Sequence, residues 1–232
     1  MNSKSAQVMI VTPHPDDAEF GAAGTVARWT GEGVDVVYVV CTNGDKGTSN
    51  TNLTPEELTP IREEEQLAAA KLLGVKEVVF LHHPDQGLDD TPEFRKEIVR
   101  LIRIYKPETV VTADPYRRYV WHRDHRITGQ VTLDAVFPYA RDHYSYPDLI
   151  QEGLEPHKVR DMLFWATEDI NYRSNITKTF DLKLRALRCH KTQVGQIPPG
   201  DLEERLRARC RTMAEGEDFE LAEGFHRAEI WQ

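Results

Sequence analysis

Four short apolar runs rich in valine, Val8–Thr12, 34–41, 77–81 and 108–113, recur along the first half of the chain with one helical pattern between each pair. Runs of this length bounded by turn residues form strands. A strand that returns through a helix must lie parallel to its predecessor, and the crossover is right-handed, so the helices cover both faces of the sheet. The expected fold is α/β and Rossmann-like: a mostly parallel sheet flanked by helices on both faces, in a single domain. Helices are predicted over 19–30, stopped by Gly31-Glu32-Gly33; over 60–73, with Gly74 as the residue beyond; and over Pro92–Tyr105, halted by Pro107.

With 232 residues, 40% of them hydrophobic, the chain can bury one full core, and no shift in composition marks a second domain. Residues 1–137 read as the Rossmann-like core and 138–232 as a C-terminal elaboration, with a strand at 163–167 and helices at 181–190 and 200–214. A formal net charge of −9 excludes a nucleic-acid footprint, which needs clustered positive charge. The polar start Met1–Gln7 and the short apolar run behind it match neither a signal peptide nor a membrane span, so the expected compartment is the cytoplasm and the partner a small molecule. Cys41, Cys189 and Cys210 are too few and too far apart for a disulfide framework or a CxxC metal site; Cys41 reads as strand core and the others as helix residues.

In open parallel sheets ligands bind beyond the carboxyl ends of the strands, and two polar clusters fall there. His14-Pro15-Asp16-Asp17 follows Val8-Met9-Ile10-Val11 and precedes the small-residue stretch Gly21-Ala22-Ala23-Gly24-Thr25; His122-Arg123-Asp124-His125 lies behind the fourth strand. Alone, the first reads as a turn with a carboxylate helix cap and the second as a solvated helix start. At neighbouring strand ends they supply three ligands for a catalytic divalent ion with an open position for water: His14, Asp17 and one of His122 and His125. Asp16 is then free to lean toward the water. The loops at 42–53 and 82–88, the latter carrying Asp85, should form the rim.

The pattern Pro13-His14-Pro15-Asp16-Asp17-Ala18-Glu19, with Gly21 to Thr25 and His122-x-Asp124-His125, resembles the LmbE-like, or PIG-L, family of zinc-dependent N-deacetylases. Asn43-Gly44-Asp45-Lys46-Gly47-Thr48, Arg62-Glu63-Glu64-Glu65 and Pro84-Asp85 match it too, so that the resemblance spans roughly residues 8–135. It implies a hydrolase that removes acetyl from an N-acetylated amino sugar or an N-acetylglucosamine-containing conjugate. It implies His14, Asp17 and His125 as ligands of Zn2+ (or of Fe2+), Asp16 as general base, and a protonated His122 as the electrophilic partner. Asp124 is expected to accept from His122 and fix its tautomer, and Arg62 and Asp85 to contact substrate. His190-Lys191-Thr192-Gln193 resembles a further family pattern near the pocket. Similar proteins are often oligomeric, so a homo-oligomer is expected. Ala18 and Arg123 stand where Glu and Pro are common; neither changes the ligand set.

Arg117, Arg118, Arg123 and Arg126 make the entrance locally basic, which suits an anionic substrate group unless they pair with Asp114 and Asp124. A competing enzyme reading is an amidase that cleaves a larger acyl group or a thiol-conjugate amide on the same metal. A Rossmann-like nucleotide-binding module would show Gly-x-Gly-x-x-Gly behind the first strand, where this chain has His-Pro-Asp-Asp.

Overall fold

A computed structural model describes residues 5–231, so residues 1–4 of the polar start lie outside it. Strands β1 (Val8–Thr12), β2 (Val36–Thr42), β3 (Glu77–His83), β4 (Thr109–Ala113) and β5 (Asp161–Trp165) run parallel. Strands β6 (Tyr172–Asn175) and β7 (Ala222–Glu229) complete the sheet antiparallel, in the order β3-β2-β1-β4-β5-β7-β6. The chain winds outward from β1 to β3, then starts again on the other side of β1 with β4. That reversal leaves a crevice between the carboxyl ends of β1 and β4, the position where such sheets bind ligands.

Alternate residues of one strand enter different cores. Val8 and Ile10 pack with α1 (Asp17–Gly31), α2 (Pro55–Leu73) and α6 (Phe180–Leu187), whereas Met9 and Val11 pack with α3 (Pro92–Tyr105) and α4 (Arg123–Asp134). Burial on both sides explains the continuous apolar strands. Beyond a short α5 (Pro147–Gln151), the helices α6, α7 (Lys191–Val194) and α8 (Pro199–Met213) enclose a smaller third cluster around Phe180, Leu187 and Leu206.

Helix α2 begins five residues before its expected start, and Pro60 lies inside it. A capping box decides the matter: Thr54 accepts from the Glu57 amide, Glu57 reaches back to Thr54, and Pro55 occupies the first turn, where its missing N–H costs nothing. The C-terminal strand sits at Asp161–Trp165 rather than 163–167. The helix expected over 181–190 ends at Leu187, leaving Cys189 in the turn before α7, while Cys210 lies in α8 and Cys41 in β2 as expected. Among the described residues no helix is long and apolar enough to cross a membrane.

Candidate metal centre and active site

The turn between β1 and α1 delivers His14, Asp16 and Asp17, and the start of α4 delivers His122, Asp124 and His125 across the crevice. His14 Nδ1 lies 2.8 Å and His125 Nε2 3.0 Å from the same oxygen, Asp17 Oδ2. Two imidazole nitrogens thus meet one carboxylate oxygen, donor types suited to zinc. The other ring nitrogen of His125, Nδ1, faces away from this point, is buried and has no hydrogen-bond partner among the described residues. Ligand-type atoms of His14, His122 and His125 fall within 4.8 Å of one another, and so do those of His14, Asp85, His122 and Asp124.

The other ring nitrogen of His14 is held as well. Its Nε2 lies 3.2 Å from Asp124 Oδ2 and 3.1 Å from Asp85 Oδ1. Burial opposes a charge on His14, but the hydrogen bonds to Asp124, Asp17 and Asp85 outweigh it and raise its pKa to about 11. Three carboxylates thus surround the His14 ring. Burial also opposes the charge on Asp17, yet the neighbouring His125 and His14 hold its carboxyl far below the usual range. Asp16 goes the other way: burial first, then the charge of Asp17, lifts it to about 7 against the pull of Arg62, His190 and His14.

Asp124 does not do what was expected of it. Its carboxylate accepts from the amide of Gln86 (2.6 Å) and from that of Leu88, and faces His14 rather than His122. Residues two apart at a helix start point to different sides, so a bond between the Asp124 carboxylate and the His122 ring is sterically unnatural. The tautomer of His122 is set by the main chain instead: the Asp124 N–H donates to His122 Nδ1 at 3.1 Å. That bond leaves Nε2 to carry the hydrogen. Burial and the His14 charge push the His122 pKa down, which works against the protonated ring that the family resemblance implies.

Arg62, expected to contact substrate, is 3% exposed and already engaged. It donates to the carbonyls of Gly44 (2.8 Å) and Pro15 (2.5 Å) and lies 3.5 Å from Asp16 Oδ2. A Cβ on Gly44 or Gly47 would stand within 2.5 Å of its guanidinium, which explains two glycines in this loop. Asp85 is buried, with its second oxygen accepting from the Lys46 amide at 3.3 Å. Both residues line a cavity of about 210 Å3 over the cluster, together with Asp16, His122, His125 and Lys46. Lys46 belongs to the Asn43–Thr48 stretch that resembles the family, but the sequence assigns it no role at the site. Gln193 reaches the same cavity and donates to the Gly47 carbonyl, while His190 is fully buried below, 3.3 Å from Glu19.

The arginines of the entrance find other partners than Asp114 and Asp124. Arg118 pairs with Glu168, Arg123 with Asp89, and Arg126 donates to the Tyr119 carbonyl. Arg117 lies over the Trp121 ring, which in turn meets the edge of His125 at 4.4 Å. Trp121 is anchored by its indole N–H on the Asp114 carbonyl.

Comparison with known proteins places these features in company. A family model described as GlcNAc-PI de-N-acetylase (PIG-L) matches residues 9–136. The chain is similar to the diacetylchitobiose deacetylase of Thermococcus kodakarensis, 38% identical over 208 residues that span 90% of this chain and 76% of that protein. It is also similar to a probable N-acetyl-alpha-D-glucosaminyl L-malate deacetylase 2 of Bacillus anthracis, 35% identical over 56% of this chain and 58% of that one. Among solved structures, the N,N'-diacetylchitobiose deacetylase of Pyrococcus horikoshii, complexed with its inhibitor MPG, matches with a TM-score of 0.91 at 32% identity. The match covers 97% of this chain and 85% of the other.

Proposed function

The chain belongs to the PIG-L family, and on that footing we propose that it is a zinc-dependent hydrolase that removes acetyl from an N-acetylated amino sugar or an N-acetylglucosamine-containing conjugate. The observation that carries this reading is the convergence of His14 Nδ1 and His125 Nε2 on one oxygen of Asp17, beside the buried carboxyl of Asp16. His14, Asp17 and His125 are the residues that would hold the ion; two imidazoles and a carboxylate favour Zn2+, with Fe2+ as the alternative. A divalent ion bound there lowers the pKa of a water and polarises a carbonyl.

The protein's own groups do the rest. Asp16, raised to about 7 by burial and by Asp17, takes a proton from the attacking water and holds it near neutral pH. As the water oxygen adds to the amide carbon, negative charge gathers on the carbonyl oxygen. The Nε2–H of His122 donates to that oxygen, a contribution on the order of 3 kcal/mol. The C–N bond then breaks, the proton on Asp16 passes to the departing nitrogen, and acetic acid and a primary amine form, the acid losing its proton to the more basic amine so that acetate and an ammonium group leave. Asp124 and Asp85 meanwhile fix the ring of His14 through Nε2.

The similarity to diacetylchitobiose deacetylases supports a terminal N-acetylglucosamine. The test is primary-amine release from diacetylchitobiose, N-acetylglucosamine and a set of longer N-acyl glucosamines by zinc-loaded protein, beside Asp16→Asn. Release from the acetylated sugars by wild type alone is the expected result. Release only from long-acyl conjugates would move the assignment to an amidase, and equal rates in Asp16→Asn would remove Asp16 as the base.

A further inference from the structure

Asp16 has φ +99° and ψ −29°, a left-handed conformation that is uncommon for any residue with a side chain. It caps α1 without any side-chain capping bond, so its carboxylate is not what holds the turn in this shape. Within the turn the His14 N–H donates to Asp17 Oδ2 at 3.1 Å, and the Pro15–Asp16 peptide itself is bonded from outside it.

The holder is α2. Arg62 and Gln66, four residues apart on one face of that helix, reach the two ends of a single peptide unit. Arg62 Nη2 donates to the carbonyl of Pro15 at 2.5 Å, and Gln66 Oε1 accepts from the N–H of Asp16 at 3.0 Å. The Pro15–Asp16 peptide plane is thereby gripped at both its oxygen and its nitrogen. A flip of that plane would break both bonds at once and swing the Asp16 carboxyl away from its present place.

The grip is itself backed by a buried chain. Gln66 Nε2 donates to Glu19 Oε1 at 2.9 Å, and the other oxygen of Glu19 lies 3.3 Å from His190 Nε2 at the start of α7. Gln66, Glu19 and His190 are all fully buried. With the carboxamide oxygen facing Asp16 and its nitrogen facing Glu19, Gln66 has one orientation that satisfies both neighbours. A glutamine is the residue this geometry needs, because it offers an acceptor on one side and a donor on the other.

We propose that Gln66 is a positioning residue: oriented by Glu19 and His190, it clamps the Pro15–Asp16 peptide and so aims the Asp16 carboxyl into the cavity. The inference rests on Asp16 serving as the base, which Asp16→Asn tests separately. Gln66 is not among the residues that line the cavity, and its bond is to the Asp16 amide, so its loss should fall on the placing of the Asp16 carboxyl and slow the chemical step. Misplacing a reacting group by about 1 Å can cost on the order of 100-fold in rate.

The experiment measures kcat, KM and zinc content on diacetylchitobiose for Gln66→Leu, Gln66→Glu and the exchange Glu19→Gln with Gln66→Glu. The first two should lose about 10- to 100-fold in kcat with KM within twofold and one zinc per chain retained. The exchange should recover most of that loss, because the carboxylate at 66 still accepts from Asp16 and the amide at 19 now donates to it. A general packing defect would not be repaired in this way. A kcat for Gln66→Leu within twofold of wild type, or an exchange no better than Gln66→Glu alone, would overturn the proposal. Should Gln66→Leu not fold, Gln66→Asn, which holds the same groups one methylene short, is judged by the same kcat criterion. Full activity in Asp16→Asn would instead refute the base, whatever Gln66 does.

Discussion

His14 shows how much one residue can organise. Its Nδ1 meets Asp17 inside its own turn, and its Nε2 meets Asp124, 110 positions away. The first contact was legible in the sequence, since three residues of a turn bring both groups to one point. The second was not, because local spacing made His122 the obvious partner of Asp124, and only the approach of α4 to the end of β1 puts His14 there instead. Histidines that hold metals depend on a carboxylate at the other nitrogen for orientation, and losing it costs about 10- to 100-fold in affinity. Asp124→Asn should therefore weaken zinc binding by about that factor in competition with a chelator. The His122 contact should survive, because it uses the main-chain N–H of residue 124. Unchanged zinc affinity would return Asp124 to a purely structural part. Arg62 illustrates the opposite limit: its motif was recognisable, but which carbonyls it would meet depended on two glycines closing against it.

At the scale of elements, the parallel core was readable because each strand is apolar along its length and each helix ends on a recognisable stop. The antiparallel pair was not. Ala-Glu-Gly-Phe-His-Arg-Ala-Glu, the sequence of β7, mixes charges with a glycine and carries little strand propensity. What β7 brings is Glu223. Its carboxylate accepts from the amides of Gly24 (3.0 Å) and Thr25 (2.8 Å) in α1, while Lys183 of α6, paired with it at 2.6 Å, donates to the carbonyls of Glu19 and Phe20 one turn earlier. Phe20 C=O and Gly24 N–H would pair with each other in a regular helix, so a buried ion pair here addresses the ladder of α1 itself. Removing one member of such a pair leaves the other charge stranded, at a cost of about 3–5 kcal/mol. Glu223→Gln should lower the urea-unfolding free energy by about that amount. Adding Lys183→Met should restore part of it, since the carboxamide at 223 still accepts from α1. A double variant no more stable than the single one would show that the charge was not the problem.

For the whole molecule, the decisive fact is that the proposed ligands come from both sides of the reversal in strand order. His14 and Asp17 follow β1, His125 follows β4, and between them lie three strands, three helices and about half the chain. The order of the parallel strands could be argued from right-handed crossovers alone. The placement of both clusters at carboxyl ends could be argued from the same rule, which is why the site was more legible than the C-terminal third that packs behind it. An ion held across that crevice binds the folded chain and not the unfolded one, where the ligands are far apart. Without it, His14, Asp16, Asp17, Asp85 and Asp124 crowd charge into a small volume. Linkage then sets the size of the effect: an ion at 100 to 1,000 times its Kd stabilises the fold by about 2.7 to 4.1 kcal/mol. For a chain of this length each kcal/mol shifts Tm by about 2–4 °C, so chelation should lower Tm by roughly 5–15 °C and added zinc should restore it. His125→Ala, which removes the contribution of α4, should show little of that difference, because its two remaining ligands both belong to the β1 turn and no longer tie the two halves of the sheet together. Equal melting of zinc-loaded and zinc-free wild type would mean that no ion bridges β1 and β4, and the proposed centre would fall with it.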